Sequence, residues 1–225
     1  MTRVLFVLTS ADKNLQGGPT GWYLPEAAHP YYVLNKHVEI DFASPKGPNP
    51  PIDTHSVEAY KDDQSVAFLN DETVKQKLAV AKKLSDVNVS EYDAIFYVGG
   101  HGPVIDLASD PVNIKLVSQF WQAGKVVSAV CHGPAALVGA ADSNGDSIFK
   151  GREATCFTNA EEIAIDQVKS IPFLVEDRIN ELGGKFVKAD ALWGAKVAVD
   201  GKLITGQNPA SAEPVGQAIL KALQA

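Results

Sequence analysis

Cys131 and His132 stand side by side in Val127–Leu137, VSAVCHGPAAL, where an apolar run meets a Gly-Pro break. A thiol beside an imidazole is the raw material of nucleophilic catalysis, the thiolate attacking and the histidine handling its proton. Upstream, Ile95–Val104 reads IFYVGGHGPV, a second His-Gly-Pro turn with glycine where the cysteine stands. If each turn follows a strand, Cys131 lies between a strand end and a helix start, with Pro134 in the first turn of a helix through Ala135, Ala136 and Leu137. There the positive end of the helix dipole would favour a thiolate, the cysteine counterpart of a nucleophile elbow. Free cysteine is also among the most buried residue types, so position alone leaves a packed thiol and a reactive one both open.

The partners narrow the chemistry. The five histidines are His29, His37, His55, His101 and His132, and none follows residue 132. A triad that takes its histidine from well downstream of the cysteine, as glutamine amidotransferases do, has no candidate here. The local Ala129-Val130-Cys131-His132-Gly133 is not a Gly-x-Cys-x-Gly elbow either. The proton-handling group is then His132, an earlier histidine or a carboxylate. Adjacent side chains on a regular helix do not face each other, so His132 serves Cys131 only in an irregular turn with a third group orienting the ring.

Acids that could orient it are Glu161 and Glu162 in Cys156–Ile165, CFTNAEEIAI, and Glu26 in Gly21–Pro30, GWYLPEAAHP. The first two also suit the first turn of a helix for purely electrostatic reasons. Glu26 and His29, three apart, could share a metal ion, but no other ligand cluster accompanies them and a solvated helix face is the plainer account. His55 in a polar loop and His37 beside Lys36 near a helix end read as surface residues.

The elements that must position these groups alternate. Short apolar or β-branched runs at Val4–Thr9, Val38–Ala43, Ala94–Val98, Val126–Val130, Ala195–Val199 and Leu203–Thr205 read as strands. Several are apolar throughout, as in parallel strands covered on both faces. Helical spacing links Val74, Leu78 and Ala81; Ile171, Val175, Ile179 and Leu182 before a Gly183-Gly184 stop; and Val215, Ile219 and Leu223 after Pro214. The pattern predicts an α/β fold, a doubly wound, mostly parallel sheet sandwiched by helices, with the ligand site outside the carboxyl ends of the strands. Asp200-Gly201 between apolar runs predicts one antiparallel hairpin at an edge. Pro45–Pro51, PKGPNPP, opens a surface loop expected to run to about Gln64, of the kind that serves as a lid. No linker divides residues 1–225, so one domain is expected.

Composition excludes other classes. A formal charge of −7 without cationic runs argues against nucleic acid or an anionic membrane surface as partner. Val4–Leu8 is shorter than a signal-peptide core, no apolar run approaches a membrane span, and two cysteines make no disulfide framework. Free thiols in a reducing cytoplasm are the expectation.

Taken in order along the chain, RVLFVLTS, TGWYLPEAAHP, DFASPKG, DTHS, GGHGPVIDL, AVCHGPAAL, FTNAEE and DGKLITGQNPASA resemble the ThiJ/PfpI superfamily, with its flavodoxin-like, class I glutamine amidotransferase-like fold. Within it the chain is most similar to the heat-shock glyoxalase III branch. The resemblance implies a glutathione-independent glyoxalase, a lyase of the D-lactate dehydratase type. Such an enzyme turns methylglyoxal or a related 2-oxoaldehyde into the 2-hydroxy acid with no cofactor and no functional metal. Carried over by position, it makes Cys131 the nucleophile, His132 the adjacent catalytic histidine, Glu26 the acid near the sulfur and Glu162, rather than Glu161, the carboxylate that orients the histidine. Gly100, His101 and the His132 amide fall at the oxyanion and substrate site. A homodimer is implied too, and relatives suggest a stress-response holdase or redox sensor as the alternative role, with a cysteine peptidase ranked below. ALWGAKVAV, Ala191–Val199, replaces the aromatic-Asp-Asp stretch of fungal members, which leaves the preferred oxoaldehyde open.

Overall fold

The strands that read as apolar throughout do so because both their faces are covered. The computed structural model describes residues 2–225. It forms β1 (Arg3–Val7), β2 (Glu39–Ser44), β3 (Lys82–Lys83), β4 (Ala94–Tyr97), β5 (Val126–Val130), β6 (Glu153–Ala154), β7 (Lys185–Phe186), β8 (Val197–Asp200) and β9 (Leu203–Gly206). Seven of them make one sheet in the order β3-β2-β1-β4-β5-β9-β8, while β6 and β7 pair separately. Within the large sheet only the β8–β9 edge pair is antiparallel, joined through Gly201 at φ +59° where the Asp-Gly signal placed the hairpin. This is the doubly wound, flavodoxin-like α/β architecture expected from the alternating pattern.

Side-chain alternation splits β1 between two cores: Leu5 and Val7 enter one, Val4 and Phe6 the other. The second core is closed by α1 (Leu24–Leu34), α3 (Asp63–Asn70), α4 (Glu72–Ala79) and α9 (Ala212–Gln224), through Leu24, Tyr31, Phe68, Val74, Val215 and Ile219. The first core is closed by α6 (Pro111–Gln122) and α8 (Val175–Glu181), through Val117, Phe120, Val175 and Ile179. Three short helices, α2 (Thr54–Ala59), α5 (Gly102–Ile105) and α7 (Asn159–Ala164), lie around the carboxyl edge of the sheet.

Several boundaries differ from expectation. The loop expected to reach residue 64 ends at Asp53, whose side chain accepts from the Ser56 amide and starts α2; Asp62 then caps α3 through Ser65. Ile171 and Ala81 share the apolar stripes of α8 and α4 but lie outside those helices, buried by neighbouring segments. The helix expected after Cys131 is a five-residue 3₁₀ segment, Gly133–Leu137. No helix among the described residues is long and apolar enough to cross a membrane.

Candidate active site

Three loops at the carboxyl edge of the sheet bring the site together. The chain leaving β1 carries Glu26 in the first turn of α1, the turn after β4 carries Gly99, Gly100 and His101, and the turn after β5 carries Cys131 and His132. Since β1 and β4 are neighbours with connections leaving to opposite sides, this is where an open sheet presents a crevice.

Gly99 lets the first two loops converge. A Cβ there would lie 2.1 Å from Glu26 Oε2 and 2.8 Å from Cys131 Cβ, so only a hydrogen leaves room for carboxyl and thiol together. Gly100 adopts φ +91°, and a Cβ on it would meet the Gly21 carbonyl at 2.2 Å. Gly99 and Gly100 of the GGHG turn are thus dictated by close approach rather than by flexibility.

Cys131 itself has φ +59°, a conformation that costs a non-glycine residue about 1–3 kcal/mol. It is held there by its neighbours: its amide donates to the Gly206 carbonyl at 2.9 Å and its carbonyl accepts from Phe157 N–H at 2.9 Å. The twist supplies the irregular turn that adjacent catalytic side chains need. Cys131 Sγ lies 3.4 Å from His132 Nδ1, and His132 Nε2 lies 2.5 Å from Glu162 Oε2. Glu162 also receives His101, whose Nε2 is 2.7 Å from the other oxygen.

Glu161, one position away, faces elsewhere. Its side chain forms a capping box with Thr158 and accepts from Gln207 and Asn208 at 3.1 and 2.8 Å. The structure therefore brings Cys131, His132, Glu162, His101, Gly100 and Glu26 together and leaves Glu161 behind them as a support. His29 turns away from Glu26 onto Asp62, 3.0 Å distant, so those two share no ligand.

Burial sets the protonation states. It pushes the Cys131 thiol well up, contrary to the thiolate expected from a helix dipole, because the five-residue 3₁₀ turn supplies too little field to offset complete desolvation. Burial also pushes Glu26 well above the carboxylate range. The Cys131 thiol and the Gly99 and Gly100 amides lie near enough to favour its charged form, yet among the described residues neither oxygen has a partner in hydrogen-bonding geometry, and burial wins. Glu26 is therefore neutral near pH 7, and the Gly100 amide expected to face substrate lies beside it. Burial lowers the His132 pKa against the opposing pull of Glu162, which leaves the ring neutral. Burial would raise Glu162, but His132 and His101 more than offset it and hold the carboxyl well below its usual range. A carboxylate against Nε2 fixes the His132 hydrogen on Nε2 and turns the Nδ1 lone pair to the thiol.

Glu26 makes a prediction about stability. A carboxyl whose folded pKa is raised favours the folded state fully below its unfolded pKa, near 4.5, and loses that advantage as pH rises toward the folded value. At pH 7 the unfolded chain ionises this group and the folded chain cannot. Glu26→Gln, which cannot ionise, is expected to raise stability, and with it Tm, at pH 7. The gain should vanish below about pH 4, and thermal melts at the two pH values check it. Equal Tm at pH 7 would mean that Glu26 ionises in place.

The site floors a cavity of about 710 Å³. Sequence reasoning missed most of its wall: Tyr23 and Tyr60, in edge contact at 5.6 Å, face Phe157 and Trp193. Phe157 also lies against the His132 ring, 4.6 Å between centroids. Tyr60 fell in a stretch read as loop; Trp193 announced itself only as the departure at ALWGAKVAV. His55 is exposed, as expected, but at the cavity mouth. Among the described residues, His101, His132 and Glu162 alone have metal-type donor atoms that converge, within 4.8 Å. Their short contacts point those atoms at one another rather than at a common centre, so an ion does not fit between them.

Known proteins resemble this chain from end to end. Glutathione-independent glyoxalase HSP31 of Saccharomyces cerevisiae is 32% identical, covering 99% of this chain and 98% of its own. Glyoxalase 3 of Candida albicans is 32% identical over 100% of this chain and 99% of its own. Among solved structures, Rapid Encystment Protein 24 KDa of Francisella tularensis superimposes with a TM-score of 0.93 at 38% identity, covering 99% of both chains. Candida albicans glyoxalase III gives 0.88 at 28%, covering 98% of this chain and 97% of its own. The DJ-1/PfpI family model matches residues 24–222, from the helix that carries Glu26 to the last turns of α9, and the chain belongs to that family.

Proposed function

We propose that the protein is a glutathione-independent glyoxalase that converts methylglyoxal or a related 2-oxoaldehyde to the 2-hydroxy acid. The substrate class comes from the names of the full-length relatives in two yeasts. The observation that carries the chemistry is the line from Cys131 Sγ through His132 to Glu162, with neutral Glu26 also beside Cys131.

The steps use only these groups and water. Neutral His132 takes the thiol proton on Nδ1, and Glu162 stabilises the resulting imidazolium. The thiolate adds to the aldehyde carbon C1, and the proton returns to the new oxyanion, giving a hemithioacetal. A proton moves from C1 to C2 by way of an enediol, with Glu26, a neutral acid, able to protonate the C2 oxygen. The product is a thioester of the 2-hydroxy acid, which water cleaves to release lactate and the thiol. Among the described residues the His132 amide has no backbone acceptor, which leaves it available to the oxyanion.

The reading includes a homodimer and needs neither metal nor organic cofactor. Its test is lactate formation from methylglyoxal by the purified chain without glutathione. Suppression of client aggregation with no lactate formed would replace it with the holdase role, and amide hydrolysis lost with Cys131 would replace it with a peptidase.

A further inference from the structure

The migration of hydrogen from C1 to C2 lacks a base in this scheme, because His132 is engaged with the sulfur. Most cavity-lining groups are unsuited. Glu26 is neutral. Burial raises the pKa of Tyr23 strongly and that of Tyr60 to about 12, so both stay protonated. Asp53 is tied to the Ser56 amide as the cap of α2, and His55 sits at the exposed mouth.

His101 remains, and its geometry repeats that of His132. Each ring places Nε2 on one oxygen of the same Glu162 carboxylate, and the ring centroids are 4.2 Å apart. An ionised carboxylate takes hydrogen from both Nε2 atoms, so each Nδ1 carries a lone pair. The lone pair of His132 faces the thiol. His101 Nδ1 has no partner among the described residues, is not sealed from solvent, and belongs to a ring that lines the cavity with 18% of its side chain exposed.

We propose that His101 is the second proton-transfer group of this site, carrying hydrogen from C1 to C2 of the hemithioacetal on Cys131. The proposal rests on the glyoxalase reading above. The C1–H bond breaks toward His101 Nδ1, its electrons form the C1–C2 double bond, and the C2 oxygen takes the proton of Glu26. In the return half, the imidazolium delivers its proton to C2 and the C1 hydroxyl returns one to Glu26, leaving the thioester and both residues as they began. A single carboxylate supports one imidazolium at a time, so His132 must discharge its proton before His101 takes one. Sharing Glu162 thus orders the two transfers.

The test separates carrying a proton from positioning Glu162. The amide of His101→Gln can still donate to Glu162 but cannot titrate. It is expected to lower kcat for methylglyoxal about 10²–10³-fold, with a larger primary isotope effect for substrate deuterated at C1. The pH profile of Cys131 alkylation by iodoacetamide should match the wild type. A kcat within about threefold of wild type would overturn the proposal, as would parallel loss of turnover and of the Cys131 alkylation profile, which marks a positioning role. If the wild type forms no lactate, the glyoxalase reading fails and this one with it; an active wild type with an active His101→Gln sinks only the role of His101.

Discussion

Cys131→Ser is expected to abolish lactate formation, lowering kcat/KM by roughly 10⁴–10⁶, while the protein keeps its fold. The size follows from the mechanism: every intermediate is bound through the sulfur, and a serine hydroxyl, a much weaker acid than the thiol, yields its proton to His132 far less readily in a site shaped around sulfur. The fold survives because the hydrogen bonds that hold residue 131 at φ +59° are made by its backbone, to Gly206 and Phe157, and not by its side chain. Rate measurement with methylglyoxal, beside a circular-dichroism spectrum and a melting curve, checks both halves. Appreciable lactate from the serine variant would move the chemistry away from the thiol. The resting state matters here too. With burial holding the sulfur protonated, the site is not a standing thiolate, and its reactivity depends on the base 3.4 Å away. An exposed low-pKa redox sensor would show the opposite electrostatics.

What could be read from the chain divides along a physical line. The central strands were legible because burial on both faces leaves a contiguous apolar run, as in VVSAV and AIFY, and Asp200-Gly201 marked its hairpin because the turn demands positive φ. The twist at Cys131 was not legible. Cysteine has no preference for left-handed backbone, and the conformation is imposed by partners far along the chain at Gly206 and Phe157. The helix at Thr54–Ala59 hid because its start depends on one ordinary aspartate after a proline-rich stretch. The contact of His101 with Glu162 spans 61 positions and carries no local signal beyond the repeated His-Gly-Pro turn. The capping box Thr158-x-x-Glu161 had a readable signature, and it assigns Glu161 to the helix start, which leaves Glu162 to face the histidines.

That division of labour between neighbouring glutamates yields the second large effect. Glu162→Gln is expected to lower kcat about 10²–10⁴-fold and to lower Tm at pH 7 as well, since it removes a carboxylate that two imidazoles hold ionised in the folded state. Both imidazoles bring a hydrogen on Nε2, and a carboxylate has an acceptor for each; a glutamine offers one acceptor and one donor. If the amide NH₂ faces His132, the ring must move its hydrogen to Nδ1, where it points at the thiol and can no longer accept. If it faces His101, that ring flips tautomer instead, and no arrangement restores the charge that stabilised the imidazolium. Glu161→Gln should act on stability alone. All four groups that reach Glu161, from Thr158 twice and from Gln207 and Asn208, are donors, so the amide strands at least one of them in the interior at about 1–3 kcal/mol. The loss should appear in Tm more than in kcat. Acid adds an independent check with its own sign. A carboxyl held below its usual pKa stabilises the fold above about pH 4.5 and loses that contribution as pH falls toward the folded value, so wild type and Glu162→Gln should converge in stability in strong acid, whereas the Glu26 effect grows toward neutral pH. Should Glu161→Gln lose turnover while Glu162→Gln keeps it, the orienting carboxylate lies one residue earlier, and the short contact to His132 Nε2 is not the one that catalysis uses.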